Sequence, residues 1–258
     1  MTFKRLSISV SFAVFVLYGG LVLSLLYFYN GALFLETLQS ERTLFSIRLS
    51  LFTATLSTCI AVCVAVPAAY ALSRLRFFGR QFIDTILELP MIVSPVAMGA
   101  VVLVFFNTPV GEAVQNHGVR FVFTVYGILL AQFITTAGIA IRLVKAAMDE
   151  IPVRYEEAAR TLGASPARAF FTVTLPLCRR GIIASAILTW AKALGEFGAT
   201  ITIAGSMAMK TETIPIAIFM RLASADIEGT VVLILMLISI GLGVLYGVRV
   251  LTGKALPL

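Results

Sequence analysis

Apolar residues gather in six long runs, at about 6–28, 44–72, 89–106, 121–143, 181–203 and 229–251, and most charged residues fall between them. A helix rises about 1.5 Å per residue, so runs of this kind suit a hydrocarbon layer about 30 Å thick. The pattern predicts an all-α integral membrane protein of six transmembrane helices in a single domain, 1–258. No internal repeat, low-complexity stretch or long linker divides it. Lys4 and Arg5 precede the first run as they would in a signal peptide. The run is too long for one and lacks a clear small-x-small cleavage site, so it is expected to be a retained span. Tyr27 and Tyr29 belong at its outer interface. Pro67 predicts a kink near the inner end of the second span, and Pro90 and Pro95 interrupt the third early. Gln132, Thr135 and Thr136 are midplane polar residues of the fourth, suited to bonding neighbouring helices or to lining a route through the bundle.

Between the fourth and fifth runs lies the longest stretch that cannot sit in lipid, 156–177. Ala158, Ala159, Leu162, Phe170 and Phe171 supply apolar contacts there, and Glu156, Glu157, Arg160 and Arg168 supply charge. This reads as a short amphipathic helix, a turn at Gly163 and a second short helix entered at Pro166. Such a piece suits a protein partner at the membrane surface. The paired Ala residues let a partner's backbone approach, Glu157 offers a carboxylate to a basic surface, and Gly163 permits a positive φ.

Composition fits the pattern: 59% of residues are hydrophobic and 13% charged, against about a quarter charged in soluble domains. The net charge of +7 does not form a basic patch with stacking aromatics, which argues against nucleic acid as a partner. Instead the Lys and Arg residues report orientation. Their excess lies with Lys4, with Arg74, Arg76 and Arg80, with the 156–177 stretch and with the C-terminus at Arg249 and Lys254, so that side and both termini are expected in the cytoplasm. Glu36, Glu41 and Arg42, the loop 107–120, and Lys210, Glu212, Arg221, Asp226 and Glu228 then lie outside. Arg80, Asp84 and Glu88 share one face of a short helix and are expected to form ion pairs with each other or with nearby basic residues.

Cys59, Cys63 and Cys178 make no disulfide framework and read as packing residues. His117 alone makes no metal site, and no Gly-rich phosphate loop is present, so the chain has no visible means of hydrolysing ATP. No catalytic, cofactor or metal site is expected in it. Ionisable residues near a bilayer midplane are confined to Lys192 and Glu196, four apart in the fifth run. Burying them costs several kcal/mol, which a lipid-facing surface does not explain. They are either a structural ion pair inside the bundle or neighbours of a translocation route. Gly195 and Gly198, with Ala191, Ala193 and Ala199, allow the close packing a gate needs. Thr200 and Thr202 could offer hydroxyls to an anion or bond their own backbone. A route through so few helices is more easily built between two copies, so a homodimer is expected.

The spacing of Glu157-Ala158-Ala159, Gly163, Val173 and Leu175-Pro176 resembles the cytoplasmic EAA signature of ABC importer permeases, whose members usually have Ile where this chain has Val173. The run Ala193-Leu194-Gly195-Glu196-Phe197-Gly198-Ala199-Thr200-Ile201-Thr202, with Thr211-Glu212-Thr213-Ile214-Pro215 after it, is similar to the molybdate-type permeases. Its Leu-Gly-Glu-Phe-Gly core is shared with sulfate and tungstate permeases. The resemblance implies the type I importer permease fold, with a cytoplasmic coupling helix between the fourth and fifth spans in the cell's inner membrane. Glu157, Ala158, Ala159, Gly163, Leu175 and Pro176 would couple to ATP-binding cassette ATPase subunits, which would hold ATP and Mg. An extracytoplasmic substrate-binding protein would deliver the oxyanion, with molybdate implied and tungstate or sulfate as alternatives. Lys192, Glu196, Gly198 and Thr200 are the candidate path or gate residues. A membrane-embedded enzyme would need converging reactive groups that the spans lack, and a membrane scaffold would not need the coupling spacing.

Overall fold

The computed structural model describes residues 2–251, without the side chains of Thr2, His117 and 249–251, and Lys254 lies outside the described residues. Helix α1 spans Thr2–Ser24 and runs into a 3-10 turn, Leu25–Phe28. It makes an apolar span, Phe3–Phe28, with no buried residue in its most apolar stretch. Asn30, whose side chain accepts from the amides of Ala32 and Leu33, starts α2 (Gly31–Gln39), so this segment is a helix and not a loop. Ser40 accepts from the amide of Thr43 and starts α3 (Glu41–Arg74), which passes through Pro67 without a break.

The third apolar run departs from expectation. In place of a helix over 89–106 there are α4 (Arg80–Ile86), α5 (Leu89–Ile92) and α6 (Pro95–Phe106), with the α4–α5 arm and α6 bent by 112°. Proline disfavours helical backbone in the residue before it, and Ser94 is extended at ψ 148°, its hydroxyl capping α6. With 12 residues, α6 alone is only about 18 Å long. The segment after it also carries a helix, α7 (Pro109–His117), capped by Thr108.

Helix α8 spans Val125–Asp149. The polar stretch between the fourth and fifth runs comprises α9 (Arg154–Thr161) and α10 (Pro166–Ala169), and a π-helical turn over Phe170–Thr174 joins α10 to α11 (Leu175–Leu194). The fifth run is also broken: α11 stops at Leu194, and α12 (Gly198–Ala204) begins after a gap of three residues, so no single helix covers 181–203. Helices α13 (Ile214–Ala223) and α14 (Ile227–Leu251) complete the described chain. Among the described residues, five helical segments could cross a membrane by length and composition, or six if the bent α4–α6 unit counts as one.

The core lies where α3, α8 and α11 meet. Ala61, Ala65 and Ala69 of α3 pack with Ala140, Ile141 and Val144 of α8 and with Cys178 of α11. Small residues let the backbones close up, which is how helices associate in lipid, where no hydrophobic force separates helix from solvent. Gly181 is needed for this approach, since a Cβ there would lie 2.2 Å from Ala147 Cβ. Gly138 likewise admits the Leu87 carbonyl, 2.3 Å from where its Cβ would be. That contact, with the ion pairs Asp84–Lys145 and Glu88–Arg142, straps the α4–α5 arm across α8. Gln132 fastens the three core helices: its amide donates to Thr53 Oγ1 on α3 (3.3 Å) and to the carbonyl of Ala193 on α11 (3.1 Å). Thr135 and Thr136 instead donate to carbonyls of their own helix.

Candidate functional site

Helix α9 ends in a Schellman motif. The amide of Ala164 donates to the carbonyl of Ala159 and the amide of Gly163 to that of Arg160, both at 3.0 Å, with Gly163 at φ +91°. The turn stands free, because a Cβ on Gly163 would meet nothing within 4 Å. Glu157 and Ala158 are exposed, Ala159 is half-buried, and Leu162 is 89% exposed at the tip. Glu157, Arg160, Thr161, Ala164 and Pro166 line a shallow open hollow. Leu175 and Pro176 lie further on, where the chain enters α11. Pro176 has no amide to donate and its ring crowds the carbonyl four residues back. The preceding turn is widened to π geometry, closed by the Leu175 amide on the carbonyl of Phe170.

The residue that attaches α9 to the bundle is Glu156, the only residue of that helix that is buried. Its carboxylate accepts from Arg74 Nε (2.9 Å) and Thr174 Oγ1 (2.6 Å) on one oxygen and from the Tyr70 hydroxyl (3.2 Å) on the other. Arg74 Nη2 also donates to the carbonyls of Met148 (2.8 Å) and Ile151 (2.7 Å), where α8 gives way to α9. The ring of Tyr70 meets Phe170 edge to face at 4.7 Å. Sequence reasoning counted Glu156 only among the charges of the stretch, because it differs from Glu157 only by one place in the helix. The available signal was Arg74, a cation in the last turn of α3 that needed a partner.

A second constellation forms where the two broken runs meet. Gly198, at the start of α12, backs onto the start of α6: a Cβ there would lie 2.9 Å from Val96 Cγ2 and 3.0 Å from Val96 N. One turn on, a Cβ at Gly99 would lie 2.8 Å from Thr202 Cβ. Glu196 occupies the gap between α11 and α12, 1% exposed, and accepts from the amide of Ala199 at 3.0 Å. A carboxylate there satisfies a free amide and faces the positive end of the helix dipole. Lys192 reaches it at 3.4 Å from the last turn of α11, with 43% of its side chain exposed. The two are thus a pair, but Lys192 is not sealed within this chain and Glu196 does not continue its helix. Thr200 is buried, and its hydroxyl has no hydrogen-bond partner among the described residues.

Thr211-Glu212-Thr213-Ile214-Pro215 is buried throughout. Glu212 receives both Nε (2.7 Å) and Nη2 (2.6 Å) of Arg42, and the amide of Ile214 donates to Ser50 Oγ at 2.8 Å. The motif therefore pins the start of α13 to α3, at the end of the bundle opposite α9. Among the described residues no group of three or more His, Cys, Asp or Glu side chains could hold a metal ion.

Residues 61–254 match the family model described as the binding-protein-dependent transport system inner membrane component. The molybdenum transport system permease protein ModB of Haemophilus influenzae is 37% identical over 177 residues, covering 67% of this chain and 77% of that protein. The sulfate transport system permease protein CysW of Synechocystis sp. is 32% identical over 185 residues, covering 71% of this chain and 67% of its own. Among solved structures, a chain of a bacterial ABC transporter involved in the import of the acidic polysaccharide alginate superposes with a TM-score of 0.74 at 19% identity, covering 93% of this chain and 90% of that one. That likeness shows a shared fold.

The geometry at Glu196 makes the two partners unequal. Replacing Glu196 with Ala orphans the buried amide of Ala199 and removes the helix-end charge, which should cost about 1–3 kcal/mol. Lys192→Met removes a half-exposed cation and leaves Glu196 its amide donor, and should cost less than Glu196→Ala. Thermal unfolding of both variants in detergent checks this, and equal destabilisation would contradict the assignment.

Proposed function

The chain belongs to the binding-protein-dependent transport system inner membrane component family, and from that premise we propose that it is the permease subunit of an ATP-driven importer for molybdate. The observation that carries the substrate is the 37% identity to a molybdenum permease across two thirds of the chain. The identity to a sulfate permease keeps sulfate as the second reading, with tungstate, of the same shape and charge, beside molybdate. All three are tetrahedral dianions. A permease is not itself an enzyme; ATP and Mg belong to separate ATPase subunits, and an extracytoplasmic binding protein delivers the anion.

In this reading α9 is the coupling helix. The exposed Glu157 and Ala158, with Ala159, face an ATPase subunit, Gly163 shapes the tip, and Leu175 and Pro176 lead the motion into α11. Two copies of the chain enclose the route. Most of α11's apolar stretch is not buried within this chain, which leaves that helix and Lys192 available to a second copy. Lys192 then supplies positive charge to the path of an anion, while Glu196, Gly198 and Thr200 form the movable contact where α11–α12 meets α6. In this reading the end carrying α9 and both termini are cytoplasmic, which is supported by Arg76, Arg80, Arg154, Arg160, Arg168, Arg179 and Arg180 in and around the α9 stretch of the sequence, since Lys and Arg are enriched in cytoplasmic segments.

Three experiments test this. The complex reconstituted with its ATPase and binding protein should hydrolyse ATP faster with molybdate or tungstate than without; stimulation by sulfate alone would move the chain to the sulfate reading. Single cysteines at Asn116 and Ser224, in a background lacking Cys59, Cys63 and Cys178, should react with an impermeant thiol reagent outside intact cells. Labelling of Ser165→Cys from outside would reverse the orientation. Finally, a Cβ on Gly163 meets nothing within 4 Å, so the main effect of Gly163→Val is on the backbone, where a positive φ costs a β-branched residue about 1–2 kcal/mol or more. The variant should reach the membrane yet retain less ATPase or hydrolyse ATP without responding to substrate. Normal assembly and uptake would remove α9 from the coupling role.

A further inference from the structure

We propose that Glu156 is a positioning residue whose carboxylate makes α9 move as one piece with α3, α8 and α11. The inference rests on the reading of α9 as the coupling helix and adds how its displacement reaches the bundle.

Helix α9 has little else to hold it. Glu156 is its only buried residue, so no apolar face of the helix is sunk in the core. Its attachment is polar, and the donors come from separate elements: Tyr70 and Arg74 from the last turns of α3, and Thr174 from the π-helical turn that opens α11. Arg74 extends the junction to α8 by its bonds to the carbonyls of Met148 and Ile151. Beside it, Ser73 donates to Asp149 at the end of α8. The Arg74 and Glu156 side chains are 6% and 9% exposed. An apolar contact lets helices slide over one another, but charge-assisted hydrogen bonds are directional and weaken steeply when bent. A carboxylate held by three donors from two helices therefore resists rotation and sliding. It can transmit a push without touching the partner that delivers it, whereas Glu157, one place on, is exposed and free to meet that partner.

The test uses the full chain, reconstituted in vesicles with its ATPase subunits and binding protein, and molybdate as the probe. Glu156→Ala should retain its ATPase subunits and their basal hydrolysis, since the residue faces inward, while stimulation by loaded binding protein and uptake fall about fivefold or more. Tyr70→Phe and Thr174→Val each remove one donor and leave the ion pair. They should lower stimulation by smaller amounts with basal hydrolysis intact, and they decide the matter if Glu156→Ala does not reach the membrane. Stimulation unchanged in Glu156→Ala, or in both donor variants when that protein is absent, overturns the proposal. A defect confined to ATPase retention, with stimulation normal in the complexes that remain, overturns it as well. Failure of the wild-type chain to retain an ATPase or to respond to molybdate or tungstate would sink the coupling reading itself, whereas a responsive wild type with an equally responsive Glu156→Ala sinks this inference alone.

Discussion

The guanidinium of Arg74 is the point on which the α9 end of the molecule depends. One planar group joins the end of α3 to two carbonyls at the α8–α9 connection and to the carboxylate of Glu156. Its forked donors fit this arrangement, and a lysine ammonium, a point charge without the fork, would not hold all three acceptors in the same directions. Burying a lone guanidinium or carboxylate costs several kcal/mol, so each makes the other tolerable and neither can be lost singly without leaving a buried charge. One of these carbonyls, Met148, lies in the last turn of α8 and also accepts from the amide of Ile151 (3.1 Å), and the other, Ile151, lies just past the helix end, so the guanidinium closes the connection between α8 and α9.

At greater depth the molecule is organised by interruption. Two of its apolar runs are not single helices, and the restart of one packs on the restart of the other, Gly198 against Pro95 and Val96. A broken helix in an apolar setting exposes amides and carbonyls that must be answered from within the protein. Glu196 answers for the start of α12, and Gln132 answers for the carbonyl of Ala193 at the end of α11. The polar residues that stand out in otherwise apolar sequence are thus the ones that make a discontinuous backbone affordable. The same discontinuity leaves short helices in contact through glycine and small side chains, an interface that can shift without unpacking a large core.

Much of this was legible in the sequence. Hydropathy located the apolar runs, and the spacing from Glu157 to Pro176 marked the segment that projects from them. Gly163 falls at a positive φ, as its place after an amphipathic stretch suggested. The breaks were not legible because hydropathy reports composition and says nothing about backbone direction. Residues 181–203 are apolar enough for one helix, and only Gly195 and Glu196 hint that it stops. Pro90 and Pro95 did signal the bend in the third run, but not that it would turn the chain by 112°. For α9 the usual inference from polarity pointed the wrong way: Leu162 is outermost and Glu156 is inside. Which of two adjacent glutamates faces inward depends on Arg74, Tyr70 and Thr174, far from both along the chain or fixed only once α11 is placed.

The π-helical turn at Phe170–Thr174 sets a condition of a different kind. It holds one residue more than an α-helical turn would, and successive residues of an α-helix are about 100° apart around its axis. The orientation of everything that follows, from Cys178 in the core to Lys192 at the far end of α11, is therefore set by a count of residues and not by the identity of any one. A substitution within the turn leaves that count unchanged. A deletion or insertion there would turn α11 like a key in a lock, carrying Cys178 and Ser185 out of the core and the charged end away from Glu196, with every side chain of the helix unchanged.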